Sequence, residues 1–209
     1  PVAMKVLSNH ILHKTESGGV KLNIKNLEEL KISFQKLSDV FKKLKIDPLA
    51  EKFLIQKMEK GISEIILGYR VDELVGPIVL LGSGGILSEI YNDKSIRIAP
   101  VDIIQAKKMI KEVKSLVTIT GYRGLPEVDI NIIATAIVNI SKFALVKEIR
   151  EAEINPVIVK KNNEGIVAVD GLIILKWYFF KQLHLKSKIY LHVKEFFYHK
   201  LMTMSFEWL

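Results

Sequence analysis

The sequence predicts a mixed α+β fold built from hairpins, without strict β-α-β alternation. Three observations predict it. Several short runs, such as residues 20–24 and 63–70, are β-branched or alternate between apolar and polar. Asn26, Asp102 and Asp129 each stand before a stretch with apolar residues three and four apart, the mark of a capped amphipathic helix. Near the C-terminal third, Lys161-Asn162-Asn163-Glu164-Gly165 joins two β-branched runs and reads as a hairpin turn.

Taken in order, residues 1–7 form a strand with no cap before it, and residues 20–24 form a second. A polar loop from Ser8 to Gly19 connects them and ends in Gly18-Gly19. Asn26, with Glu29 three residues on, opens a helix whose apolar face is Leu27, Leu30, Phe34, Leu37, Phe41 and Leu44. Strands follow at 53–58 and 63–70, and a short buried run at 78–81 is broken by Ser83-Gly84-Gly85 and resumes at 86–91. Asn92 to Ser95 reads as a turn before a strand at 96–100. Asp102 with Gln105 caps a helix that turns Ile103, Ala106, Ile110 and Val113 inward. Asp129 starts another, with Ile132, Ile133, Ala136, Ile137 and Ile140 inward.

Composition narrows the chemistry. There is no cysteine, which excludes disulfides, thiolate metal sites and cysteine nucleophiles and fits a reducing compartment. The net charge is +8, yet the lysines are spread along helices and loops without a dense run. This is the pattern of a solvated surface that favours polyanionic small ligands such as nucleotides; a nucleic-acid partner is not expected. With no signal pattern and no apolar run of about 18 residues, a cytoplasmic protein without a membrane span is expected. Residues 176–209 differ in character, holding both tryptophans and three of the five histidines. An aromatic helix, an oligomer contact, a membrane-surface segment and translation past the true end all remain open for this aromatic, basic tail.

The hairpin carries the strongest chemical signal. With Asn162-Asn163 as the turn residues, Lys161 faces Glu164, and counting outward sets Asn155 opposite Asp170. Glu153, two residues away, points to the same face as Asn155. Facing residues have Cβ atoms roughly 4.5–5.5 Å apart, so three oxygen-bearing side chains are expected together. Such a set suits Mg²⁺, which takes one or two carboxylates plus substrate phosphates and keeps several waters; the alternative is a solvated strand face. Elsewhere, Lys5 ends an apolar strand, placed either at the surface or to reach a phosphate as a point charge. Gly18 and Gly19 allow close approach of backbone N–H groups to an anion. His13, flanked by Lys14 and near Glu16, is either an ordinary loop residue or a nucleophile toward phosphorus. The second glycine cluster, residues 82–85, matches neither a P-loop nor a Rossmann pattern. Glu89 and Arg97, on either side of the following turn, read as a cross-strand salt bridge.

Together these motifs resemble the ATP-grasp domain of ADP-forming acyl-CoA synthetases, of which the acetate–CoA ligases are members, and more distantly the β subunit of succinyl-CoA synthetase. The resemblance covers residues 1–175. It rests on Pro-Val-Ala-Met-Lys at 1–5, Ile-Leu-His-Lys-Thr-Glu-Ser-Gly-Gly-Val at 11–20, Gly-Pro-Ile-Val at 76–79, Gly-Ser-Gly-Gly-Ile at 82–86, Arg-Ile-Ala-Pro at 97–100, Gly-Tyr-Arg-Gly at 121–124, Glu-Ile-Asn-Pro at 153–156 and Ala-Val-Asp at 168–170.

The resemblance implies two α+β lobes around a nucleotide cleft, with the N-terminal lobe incomplete. It implies Mg²⁺ on Asn155 and Asp170, with Glu153 beside them steering a transferring histidine. It gives Lys5 to the nucleotide, Gln56, Lys57 and Met58 to the adenine, and Glu64 and Glu89 to the cleft. His13 is the implied carrier of a phosphoryl group between two active sites, and ATP or ADP the substrate. A CoA-binding α-type partner subunit is expected to supply the rest of the reaction. A second reading is the ligand-sensing ATP-grasp domain of a bimodular protein lysine acetyltransferase.

Overall fold

The computed structural model describes residues 1–7, 17–43, 52–85, 92–121, 123, 128–161 and 164–176. It divides into two compact units, Pro1–Glu59 and Lys60–Leu209.

In the first unit, β1 (Val2–Leu7) is the centre of an antiparallel three-stranded sheet, with β2 (Val20–Ile24) on one side and β3 (Lys52–Lys57) on the other. Strand alternation sends Met4 and Val6 to one face, where they pack with Ile24 against Leu37 and Phe41 of helix α1 (Leu27–Lys43). The helix begins as the sequence predicts. The Glu29 N–H donates to Asn26 Oδ1 at 2.9 Å, and the Glu29 carboxylate reaches back to accept from the Lys25 N–H at 2.8 Å. Its buried face is narrower than expected: Leu27 is 63 % and Phe34 47 % exposed. On this three-stranded sheet the helix is fully buried only in its C-terminal half, at Leu37, Ser38 and Phe41, while Leu30 is partly buried against the same core.

The second unit is an antiparallel sheet in the order β6-β5-β4-β7-β8, with a further strand, β9, also on β7. Its strands are β4 (Ser63–Asp72), β5 (Gly76–Ser83), β6 (Lys94–Ile98), β7 (Ile149–Val159), β8 (Ile166–Ala168) and β9 (Gly171–Leu175). Helices α2 (Ile103–Glu112) and α3 (Ile130–Ser141) cover one face. Leu67, Leu81 and Ile154 pack there with Met109, Ile133 and Ile137. Asp102 and Asp129 are the N-caps, as the sequence predicts, and Asp102 forms a full capping box with Gln105.

Two local expectations are corrected, and a third falls partly outside the described residues. The turn before β6 is shorter than residues 92–95, since the strand starts at Lys94 and ends at Ile98. Ile103, in the first turn of α2, is 41 % exposed, and Met109 takes a buried place in the helix instead. Arg97 pairs with Glu112 of α2; Glu89 lies outside the described residues. None of the helices among the described residues is long and apolar enough to cross a membrane.

A bulge in β7 decides which of its side chains leave the core. Ile65 pairs with Val157, but Leu67 pairs with Ile154, so Asn155 and Pro156 together oppose the single residue Ile66. The extra residue shifts the alternation, and Ala152, Ile154, Val157 and Val159 all reach the helix-covered core. Glu153 and Asn155 are left on the other face.

Candidate functional site

The β7–β8–β9 hairpin has the register counted from the sequence. Val157 stands opposite Ala168 and Ile154 opposite Gly171, which sets Asn155 opposite Asp170. The Asn155 N–H donates to the Asp170 carbonyl at 3.1 Å, and the Val169 N–H to the Pro156 carbonyl at 3.2 Å. Asn162 and Asn163 lie outside the described residues, but the chain on either side is closed by Lys160 N–H to the Gly165 carbonyl, 3.0 Å.

Three oxygen-bearing side chains thus share the open face of the sheet. The Asn155 Nδ2 donates to Glu153 Oε1 at 3.1 Å, which fixes the amide and leaves its oxygen for another ligand. Asp170 accepts from the Gly171 N–H through Oδ1 at 3.0 Å. Asn155 is exposed, and Glu153 and Asp170 are half-buried. Two carboxylates and an amide oxygen are hard donors suited to Mg²⁺ or Ca²⁺. Among the described residues no group of three His, Cys, Asp or Glu side chains is placed to hold a metal. Two carboxylates and one amide are fewer donors than Mg²⁺ takes, so an ion held by them would draw its remaining ligands from phosphates and water.

The surrounding face is shaped by glycine. Gly68 pairs with Glu153 on one side and Leu80 on the other, so a bare backbone stretch adjoins the carboxylate. Glu64, on the same face of β4 and exposed, anchors the glycine-rich segment after β5: its carbonyl accepts from the Gly84 N–H at 2.7 Å. A Cβ on Gly84 would stand 2.7 Å from the Glu64 carbonyl carbon and Cβ, so only glycine fits this approach. The sequence shows residues 82–85 as a glycine cluster without assigning it a role, and its motifs do not single out Gly68. A lone glycine inside an apolar run is the available signal.

In the first unit, Lys5 is 5 % exposed, opposite Val20 and Leu54 and on the sheet face away from α1. It is engaged in at least one polar or electrostatic interaction. Gln56, opposite Ala3, shares that face; Lys57 is opposite Val2 and exposed. The Met58 N–H is committed to the Pro1 carbonyl at 3.1 Å. Gly18, at φ +72°, and the buried Gly19 form the turn into β2, and the Gly19 carbonyl accepts from the Val6 N–H at 2.9 Å. His13, like Glu89, lies outside the described residues, as do residues 177–209 of the tail.

The comparisons with known proteins agree on a family. The profile of the ATP-grasp domain matches residues 1–175. The β subunit of acetate–CoA ligase [ADP-forming] II from Pyrococcus furiosus is 39 % identical over 178 residues, spanning 84 % of this chain and 75 % of that protein. The acetate–CoA ligase [ADP-forming] of Methanocaldococcus jannaschii is also 39 % identical, but there the match spans only 25 % of a longer chain. Among solved structures, acetyl-coenzyme A synthetase 1 of Ca. Korarchaeum cryptofilum, in complex with coenzyme A and Mg-AMPPCP, superposes with a TM-score of 0.66 at 34 % identity, covering 84 % of this chain and 76 % of that one. In that structure a phosphohistidine segment points towards the nucleotide-binding site. The chain belongs to the ATP-grasp family, among the nucleotide-binding β subunits and domains of ADP-forming acetate–CoA ligases.

Proposed function

We propose that this chain is the nucleotide-binding component of an ADP-forming acyl-CoA synthetase, which converts acyl-CoA, ADP and phosphate into the carboxylic acid, CoA and ATP. The observation that carries the reading is the shared face of Glu153, Asn155 and Asp170 on the bulged strand β7 and its partner. Asn155 and Asp170 are the residues to hold Mg²⁺, which when bound neutralises phosphate charge. Glu153 orients the Asn155 amide and stands beside the transferring group. Lys5 contributes a positive charge toward a phosphate. Residues 56–58 meet the adenine through main-chain groups other than the Met58 N–H, which Pro1 already occupies. Gly18, Gly19, Glu64 and Glu89 are the further residues assigned to nucleotide binding.

Phosphoryl transfer depends on positioning and charge neutralisation more than on covalent machinery, and these residues supply both. His13 is the carrier: with a reference pKa of about 6.5, a neutral imidazole is a competent acceptor near pH 7. Its N–P bond breaks as a β-phosphate oxygen of ADP forms the new P–O bond, and the imidazole departs neutral after taking up a proton. The acyl group and CoA are handled by an α-type partner, as a second subunit or a fused domain. The reading carries a cytoplasmic location, where ADP and CoA are found.

Calorimetry tests the metal assignment. Mg-ADP is expected to bind the wild type more tightly than ADP alone, and Asp170→Ala to abolish that difference. Equal affinity with and without Mg²⁺ in the wild type would overturn the reading. Activity of His13→Ala at the wild-type rate, with the CoA-binding partner present, would remove His13 from the mechanism.

A further inference from the structure

Two exposed helices in this protein carry charge in different ways. On α1 both signs alternate, and Lys31–Glu28 and Lys42–Asp39 pair at 3.3 and 3.5 Å. That is the composition of a helix that faces water. On α2, Ile104, Lys107, Lys108 and Lys111 form one exposed stripe at helical spacing. Lys114 follows the helix and Lys94 begins β6, the strand joined to it through the contacts of Ser95 and Arg97 with Glu112.

The nearby acids are turned toward the chain itself. Glu112 accepts from Ser95 Oγ at 2.7 Å and pairs with Arg97. The Asp93 carboxylate accepts from the Lys114 and Ser115 N–H groups at 2.9 and 2.7 Å. Asp102 caps the helix through the Gln105 N–H at 2.7 Å. Among the described residues, none of the five lysines comes within ion-pair distance of an acid, although Lys108 helps to lower the pKa of Glu112 and Lys114 that of Asp93. A row of like charges a turn apart is mildly destabilising to an isolated helix, so its own fold does not require this arrangement.

We propose that this face of α2 is a docking surface for an acidic, aliphatic-bearing face of a protein partner. Charge complementarity selects the acid. The exposed Ile104, at 63 %, with Ile103 beside it, selects aliphatic side chains next to it. A nucleic acid fits less well, because the stripe has no aromatic residue to stack a base and no arginine to grip a phosphate in bidentate fashion. The surface is independent of the nucleotide reading: α2 buries Ala106, Met109 and Ile110 against the core face of the sheet, and Glu153 and Asn155 lie on the opposite face.

The test uses the full chain and two fluorescent probes, a peptide of about twelve residues made of Glu, Asp and Leu, and an oligouridylate of the same length, at about 50 and about 300 mM NaCl. The peptide is expected to bind more tightly than the RNA and to weaken with salt. Lys107→Glu/Lys108→Glu/Lys111→Glu should weaken it about tenfold or more, and Ile104→Ser by about threefold, with Mg-ADP binding unchanged. If the triple reversal fails to fold, Lys107→Gln/Lys111→Gln carries the comparison. No saturable peptide binding, equal binding by the charge variants, no effect of Ile104→Ser, or tighter binding of the RNA lost through the same lysines would each overturn the proposal.

Discussion

Asn155 and Asp170 are tied through their main chains, the Asn155 N–H donating to the Asp170 carbonyl at 3.1 Å, so their side chains stand on one face of the sheet without needing to touch. The side chains are thereby held in place by the ladder, and Asp170 Oδ1 also accepts from the Gly171 N–H. Asp170→Asn keeps an oxygen to accept from the Gly171 N–H, which the aspartate now does at 3.0 Å, and so preserves the hairpin. It should lower the affinity for Mg-ADP by about tenfold or more while leaving affinity for metal-free ADP and the melting temperature nearly unchanged. Calorimetry with and without Mg²⁺ checks this. An unchanged Mg²⁺ effect would remove Asp170 from the ligand set.

In the proposed site Glu153 acts through Asn155, whose amide donates to its carboxylate at 3.1 Å. A glutamine at 153 still offers a carbonyl oxygen to that amide, and an alanine offers nothing. Glu153→Gln is therefore expected to bind Mg-ADP near the wild-type level, and Glu153→Ala several-fold more weakly. Equal losses in the two variants would mean that the negative charge, and not the orientation of Asn155, is what matters.

Gly84 and Gly68 should respond differently to alanine. At 84 the new Cβ meets Glu64 at 2.7 Å, backbone included, and one of the two segments must move. The cost is about 1–3 kcal/mol, a fall in melting temperature of several degrees. At 68 the nearest atom is Leu80 Cβ at 3.6 Å, an ordinary contact, so stability should hold. The added methyl instead occupies the bare face beside Glu153 and should weaken nucleotide binding. Thermal melts and ADP titrations of the two variants separate these outcomes, and a stable Gly84→Ala protein with normal binding would contradict the close approach.

The parts of this molecule legible in its sequence are those governed by local rules. Asn26, Asp102 and Asp129 announce their helices because a cap is a contact over three or four residues. The Asn155–Asp170 register follows from counting outward from the middle of residues 161–164, since pairing in a hairpin is fixed by counting. The bulge at Asn155-Pro156 is not legible, because it exists only relative to Ile66 on β4, nearly ninety residues earlier. The pairing of Arg97 with Glu112 is not legible for the same reason: Glu112 reaches it through the packing of α2 on β6, which no local spacing encodes. The exposure of Phe34 and Leu27 depends on how much sheet lies beneath α1, a tertiary quantity. The aromatic contact of Phe34 with Phe53, centroids 4.9 Å apart, is what its remaining buried edge finds.

The pairing at Glu112 makes a prediction about acid stability. Its carboxyl is held below the ordinary value of 4.5, first by the hydrogen bond from Ser95 and then by Arg97, with a partly opposing effect of burial. A pKa depressed by folding means that the unfolded chain takes up the proton more readily. The stabilisation is therefore fully present above about pH 4.5 and is lost as the pH falls through the lower, folded value. Because this carboxylate is largely exposed, the effect is small and screened by salt. Glu112→Gln should melt below the wild type at pH 7, and the gap should close as the pH is taken below 4.5 and narrow as NaCl is raised at pH 7. A gap that stays constant from pH 7 to the acid limb would show that Glu112 acts through packing and not through its charge.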